Sequence, residues 1–120
     1  MRGQVRRVVN IVCAARGVSR ADILSPDRHR GVSWPRQEIY AILRDTSPLS
    51  MSAIGGDIGG RDHTTVLHGI RAVARRCEAN SVYASEMEAM RRQAMAHVKP
   101  VFIRHGALAG FQSGRSGNVS

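Results

Sequence analysis

Residues 50–79 read SMSAIGGDIGGRDHTTVLHGIRAVARRCEA, and this stretch decides the fold. Ser50 is positioned to cap a short helix running through Ile54 to Ile58, and the glycines of GGDIGG (55–60) punctuate that helix and the turn after it. Asp62 can cap the next helix, which extends to about Ala79. Its apolar residues Val66, Ile70, Val73 and Cys77 are spaced four, three and four, so one stripe faces a core. Arg61, Thr64, His68, Arg71 and Arg75 recur at three, four, three and four on the other side. Polar side chains crowd the first turn as Arg61-Asp62-His63-Thr64-Thr65. Two helices joined by a short glycine-containing turn form a helix-turn-helix candidate, in which the N-terminal residues of the second helix enter a major groove. A charged stripe is ordinarily a solvated face, but two histidines and two threonines so close together are unusual there.

The flanking sequence adds helices and no convincing strand. Val5, Val8, Val9, Val12 and Cys13 share one face of a helix over 4–16, closed by Gly17. Ser19 opens a short helix with Asp22 at the reciprocal capping position, and Pro26 ends it. SPDRHRGVS (25–33) reads as a basic loop carrying Arg28, His29 and Arg30. Ser33 is the expected N-cap of a helix to about Thr46, with Pro35 in its first turn. A last helix, roughly 84–98, carries Met87, Met90 and Ala94, with Tyr83 and Val98 extending the stripe. The expected architecture is all-α, with about six helices. Residues 1–80 form the main domain, 81–99 an additional helix and 100–120 a flexible tail.

A chain of 120 residues and 13.1 kDa has room for one small domain. Its 42% hydrophobic and 22% charged fractions fit a soluble globular protein. Eighteen basic against nine acidic residues give a formal charge of +9 and a pI near 11.4, which points to a polyanionic partner. Lys99 is the only lysine. That arginine bias fits either codon drift in a GC-rich genome or recognition of phosphates and bases by the guanidinium fork, and composition does not separate the two. Cys13 and Cys77 are too few and too far apart for a zinc site, and read as buried free thiols in a reducing compartment. No apolar run approaches the roughly 18–20 residues of a membrane span, and the start MRGQVRR lacks a signal peptide's apolar stretch. The expected location is the cytoplasm, associated with the nucleoid.

An enzyme is the least favoured class. His63 and His68 are five apart, about 140° around a helix, so they cannot chelate one metal as i,i+4 histidines do. No nucleophile–base–acid set is evident. No metal, nucleotide or other cofactor is expected.

The segment from Val5 to about Arg76 resembles the C-terminal DNA-binding domain of the bacterial replication initiator DnaA. The resemblance is carried by Gly59-Gly60-Arg61-Asp62-His63-Thr64-Thr65-Val66-Leu67-His68, by Pro35-Arg36-Gln37 with the basic loop before it, and by Ile54-Gly55 between them. It implies a six-helix fold that binds double-stranded DNA at a short box, through a helix-turn-helix and a neighbouring minor-groove loop. By position it implies Arg36, Asp62, His63, Thr64 and Thr65 as base readers and Arg28 as the minor-groove arginine. The chemistry suits those roles: arginine holds guanine bidentately, the threonine methyl suits the thymine methyl, and a loop arginine suits a narrow minor groove. Arg36, Tyr40 and Arg44 recur at successive fours, so Arg44 is expected at a phosphate beside the Arg36 contact. Gln37 and Ser47 can add phosphate hydrogen bonds, and Arg30, Arg61, His68 and Arg71 complete the expected DNA-facing set.

Two departures stand out. Trp34 occupies a position where that family usually has arginine, either stacking near DNA or, as the sequence slightly favours, packing as a hydrophobic staple. No G-x-x-x-x-G-K-[ST] phosphate loop occurs, so the resemblance is to a freestanding reader without an ATP-driven motor. The alternative is a protein-interaction regulator that contacts the replication initiator or its regulators through the C-terminal helix. The intact RDHTT run favours DNA. If about five phosphates are neutralised by Arg44, Arg71, Arg75 and others, log K should fall against log salt with a slope of about −4 to −5 in a fluorescence-anisotropy titration. A slope near zero would leave the charge excess without an electrostatic footprint.

Overall fold

Four valines at 5, 8, 9 and 12, all fully buried, make one side of helix α1 (Gly3–Arg16) the first wall of the core. Residues 2–96 are described by a computed structural model. After α1 come α2 (Arg20–Leu24), α3 (Arg30–Thr46), α4 (Met51–Asp57), α5 (His63–Ala79) and α6 (Ser81–Met95), with no strand among the described residues. The protein is all-α. No helix in this part is long and apolar enough to cross a membrane.

The capping expectations at Gly17, Ser19, Ser50 and Asp62 hold in detail. The Gly17 N–H bonds the Cys13 carbonyl and stops α1. Ser19 and Asp22 form the reciprocal box at α2, with Oγ accepting from the Asp22 N–H at 3.0 Å and the carboxylate accepting from the Ser19 N–H at 3.3 Å. Ser50 caps α4 through the Ala53 N–H at 3.1 Å. Asp62 caps α5 through the Thr65 N–H at 2.9 Å.

Helix α3 starts one turn earlier than its sequence suggests. His29, not Ser33, holds the N-cap position, and its carbonyl accepts from Val32 and Ser33. Val32 is the reason: it is buried and extends the stripe of Ile39 and Leu43 by another turn. Pro35 forfeits only a bond to the carbonyl of exposed Gly31, so the helix passes through it. The basic loop therefore shortens to 25–29, and Arg30 becomes helical. Helix α6 likewise begins at Ser81 rather than 84. Asn80 ends α5 and caps α6, its side chain accepting from the Tyr83 N–H at 3.0 Å. The expected end of α6 at 98, with Val98, and the tail at 100–120 lie outside the described residues.

Helix α3 packs against each of the other five, so it is the axis of the domain. Met87, Met90 and Ala94 of α6 join the same core cluster as the α1 valines and Ile39, Ile42 and Leu43 of α3. Glu38 on α3 is only 2% exposed. Arg16 of α1 donates to it from Nε at 2.9 Å and Nη2 at 3.2 Å, and the Tyr83 hydroxyl of α6 donates at 2.7 Å. A buried carboxylate needs such donors, and deleting one member of a buried charged set is strongly destabilising. Glu38→Ala should cost about 3 kcal/mol of stability, because Arg16 Nε and Nη2 and the Tyr83 hydroxyl lose their shared acceptor and the α1–α3–α6 seam is left unfilled. Urea denaturation measures this; an unchanged midpoint would show that the network does not hold the helices together.

Candidate nucleic-acid interface

The turn between α4 and α5 is built from Gly59 and Gly60, at φ of 77° and 70°, a conformation that favours glycine. It delivers the first turn of α5 to the surface with Asp62, His63, Thr64 and Thr65 all exposed, while Val66 directly after them is fully buried. The Thr65 N–H holds the Asp62 carboxyl below its ordinary range, so the cap stays ionised and one carboxylate oxygen remains free to accept. His68 and Arg71 continue the exposed stripe, with Arg75 beyond them. Facing this turn is the 25–29 loop, where Arg28 is exposed. Between them lies a groove of about 700 Å³, lined by Leu24, Pro26, Arg28, Ser33, Gln37 and Thr65.

Beneath the groove two guanidinium groups converge on the carbonyl of Ser25. Arg36 is 5% exposed. Its Nε donates to the Ile23 carbonyl at 2.8 Å, its Nη1 to Asp27 at 3.0 Å, and its Nη2 to Ser25 at 3.0 Å and Asp22 at 3.2 Å. Four of its five N–H groups are thereby committed to carbonyls at the C-terminal end of α2 and in the loop after it. Arg61 donates to the Ile58 carbonyl at 2.7 Å and also to Ser25. Burial, and then the neighbouring Arg61 charge, lower the Arg36 pKa. The Tyr40 hydroxyl is buried close by with no partner.

Arg36, expected from the sequence to read a base, lies buried beneath the groove. Four of its N–H groups face the protein and hold the backbone before the exposed Arg28. A signal existed: Val32, Arg36, Ile39 and Leu43 are spaced four, three and four, which puts Arg36 on the buried stripe of α3. Arg44 does not stand beside an Arg36 contact either. It is exposed farther along α3 and lines a separate groove of about 290 Å³ with Ile70, Val73 and Met87. Ser47 is half-buried, and its hydroxyl donates to the Leu43 carbonyl at 2.7 Å, closing α3. Arg61 is half-buried in its clamp. Arg30 lies over the Trp34 ring at 4.9 Å, and Arg76 lies over the same ring at 3.9 Å. Gln37 lines the groove, and its Oε1 accepts from Arg76 Nη1 at 3.0 Å. The Arg76 head group itself turns inward. Among the described residues, no group of three or more His, Cys, Asp or Glu is placed to hold a metal.

Arg36→Ala should lower stability by about 2–3 kcal/mol, because the buried Ile23 carbonyl and three part-buried ones lose a charged donor. It should also weaken binding to matched and random duplexes alike, since the loop loosens as a whole. Urea melts and paired anisotropy titrations check both; lost discrimination at full stability would restore Arg36 as a base reader.

Sequence comparison places this geometry in a family. The model of the bacterial DnaA protein helix-turn-helix matches residues 5–73. The chromosomal replication initiator protein DnaA of Neisseria meningitidis is 37% identical over 81 residues, covering 68% of this chain and 16% of that protein. The protein of the same name from Thermomicrobium roseum is 36% identical over 99 residues, covering 82% of this chain and 21% of that protein. That from Brucella abortus is 36% identical over 89 residues, covering 74% and 18%. The chain thus spans about a sixth to a fifth of the length of these relatives.

Proposed function

This chain belongs to the bacterial DnaA helix-turn-helix family, and on that premise we propose that it recognises a specific double-stranded DNA box of the DnaA type. Family membership supports DNA binding and a link to replication initiation. The observation that carries the finer reading is the exposed Asp62–Thr65 turn facing the Arg28 loop across one groove. An α5 N-terminus laid into a major groove brings His63, Thr64, Thr65 and the free Asp62 oxygen toward base edges. Arg28 then meets the adjacent minor groove, where a narrow A·T-rich stretch attracts a guanidinium. Gln37, Arg30, His68 and Arg71 are left for the phosphates on either side, with Arg44 and Ser47 farther out. The location that goes with this role is the nucleoid.

At a shared box, these 120 residues and a full-length initiator would need the same groove surfaces, so the direct effect is steric exclusion. These residues contain no phosphate loop and contribute no ATP-driven step. Thr65→Ala should cost about 1–3 kcal/mol on a box-containing duplex and little on a shuffled one, because base contacts carry discrimination. Anisotropy on both duplexes measures it; equal losses would reduce Thr65 to a phosphate contact. In a footprinting titration the parent should displace the initiator from its box, and a weaker-binding His63→Ala variant should displace it less. Rising initiator occupancy would replace competition by a contact between the two proteins.

A further inference from the structure

The matched family segment ends at residue 73, yet the side chains that fix Gln37 lie beyond it. Arg76 Nη1 donates to Gln37 Oε1 at 3.0 Å, and its Nη2 donates to the Tyr83 hydroxyl at 3.2 Å. The Tyr83 hydroxyl in turn donates to buried Glu38 at 2.7 Å. The guanidinium carbon lies 3.9 Å from the Trp34 ring centroid and 5.3 Å from that of Tyr83. Arg76 Nε is buried without a partner, so this head group is seated in the protein and does not reach outward.

A glutamine amide is ambiguous, offering an acceptor at one end and two donors at the other. Arginine has donors only, so its partner must be the oxygen. We infer that Arg76, held by Tyr83 and Trp34, is a positioning residue that locks the Gln37 amide with its NH2 group toward the groove, ready for a phosphate oxygen. In this way α6 and the end of α5 become part of the DNA-binding apparatus without touching DNA. Trp34 acquires a purpose: its face is the platform on which the arginine lies. The inference rests on the DNA-binding reading above.

The test is a double-mutant cycle on a box-containing duplex, read by anisotropy at several salt concentrations. Gln37→Ala and Arg76→Ala should each weaken binding about tenfold, the order expected for one lost hydrogen bond to a charged acceptor. The double variant should bind no worse than Gln37→Ala, because the two act as one unit. The salt slope should be the same for both single variants. Losses that multiply to about a hundredfold, with a slope shallower by about one for Arg76→Ala, would show that Arg76 grips a phosphate itself and overturn the proposal. Arg76→Lys keeps the charge and most of the packing but cannot fork between Gln37 and Tyr83, so it should resemble Arg76→Ala. Full rescue by lysine would also overturn it. A measurement without DNA separates this inference from the DNA reading: the NMR signals of the Gln37 side-chain amide should show slower rotation in the parent than in Arg76→Lys. Equal rotation would sink the lock even where DNA binding stands. A slow amide in a parent that binds no duplex would sink the DNA reading, and with it the role given to Gln37.

Discussion

Glu38 is a carboxylate taken almost completely out of water, and the arrangement of three helices follows from meeting its needs. An unpaired carboxylate in that position would carry a desolvation cost comparable to the whole stability of a small domain. Arg16 answers from the end of α1 with two N–H groups, and Tyr83 answers from the second residue pair of α6 with its hydroxyl. Arg16 also reaches Glu86 at 2.8 Å, tying α1 to α6 directly. The phenol is held in its protonated state by burial and by its bond to Glu38, so it remains a donor. Charge satisfaction, added to apolar packing, is what fixes α6 against α1 and α3.

The same helix carries a second buried ion of opposite sign. Arg36 lies two residues before Glu38 and therefore on a different side of α3, where it caps α2 and gathers the 25–27 backbone. A short helix such as α2 cannot satisfy its own terminal carbonyls, and a guanidinium is suited to several at once. Arg61 brings the α4–α5 turn to the same Ser25 carbonyl. One oxygen thus links the loop carrying Arg28 to the turn that presents His63 and Thr64. Protein contacts brace both sides of the groove between them.

The arginine excess acquires a mixed explanation from this. Arg16, Arg36, Arg61 and Arg76 spend their donors on the protein's own carboxylate, carbonyl, amide and hydroxyl oxygens. Arg91 is paired with Glu88 at 2.7 Å. Arg28, Arg44, Arg71 and Arg75 instead stand exposed on the surface. The net charge is still strongly positive, and the field still favours a polyanion, but counting arginines overstates the number available to one. The planar fork that suits phosphate and guanine also suits clustered backbone carbonyls.

Much of this was legible in the sequence because it is local. The Val66–Ile70–Val73–Cys77 stripe, the Asp62 and Ser19 caps and the Gly59-Gly60 turn are determined by residues within a few positions of one another, where helical geometry converts spacing into direction. The motif around Arg61–His68 likewise identified the family and the exposed turn. Helix α3 starts a turn before the point that Ser33 and Pro35 signal locally, because the burial of Val32 depends on helices elsewhere. The destinations of the long side chains were decided by tertiary structure alone. Arg36 and Arg28 have the same chemistry and lie eight residues apart, yet one is a buried cap and the other stands exposed on the loop. Gln37 meets Arg76 across 39 residues and Glu38 meets Tyr83 across 45. Periodicity says which way a helix faces, but the partner of a flexible charged side chain is set by which carbonyl or carboxylate the fold leaves unsatisfied within its reach.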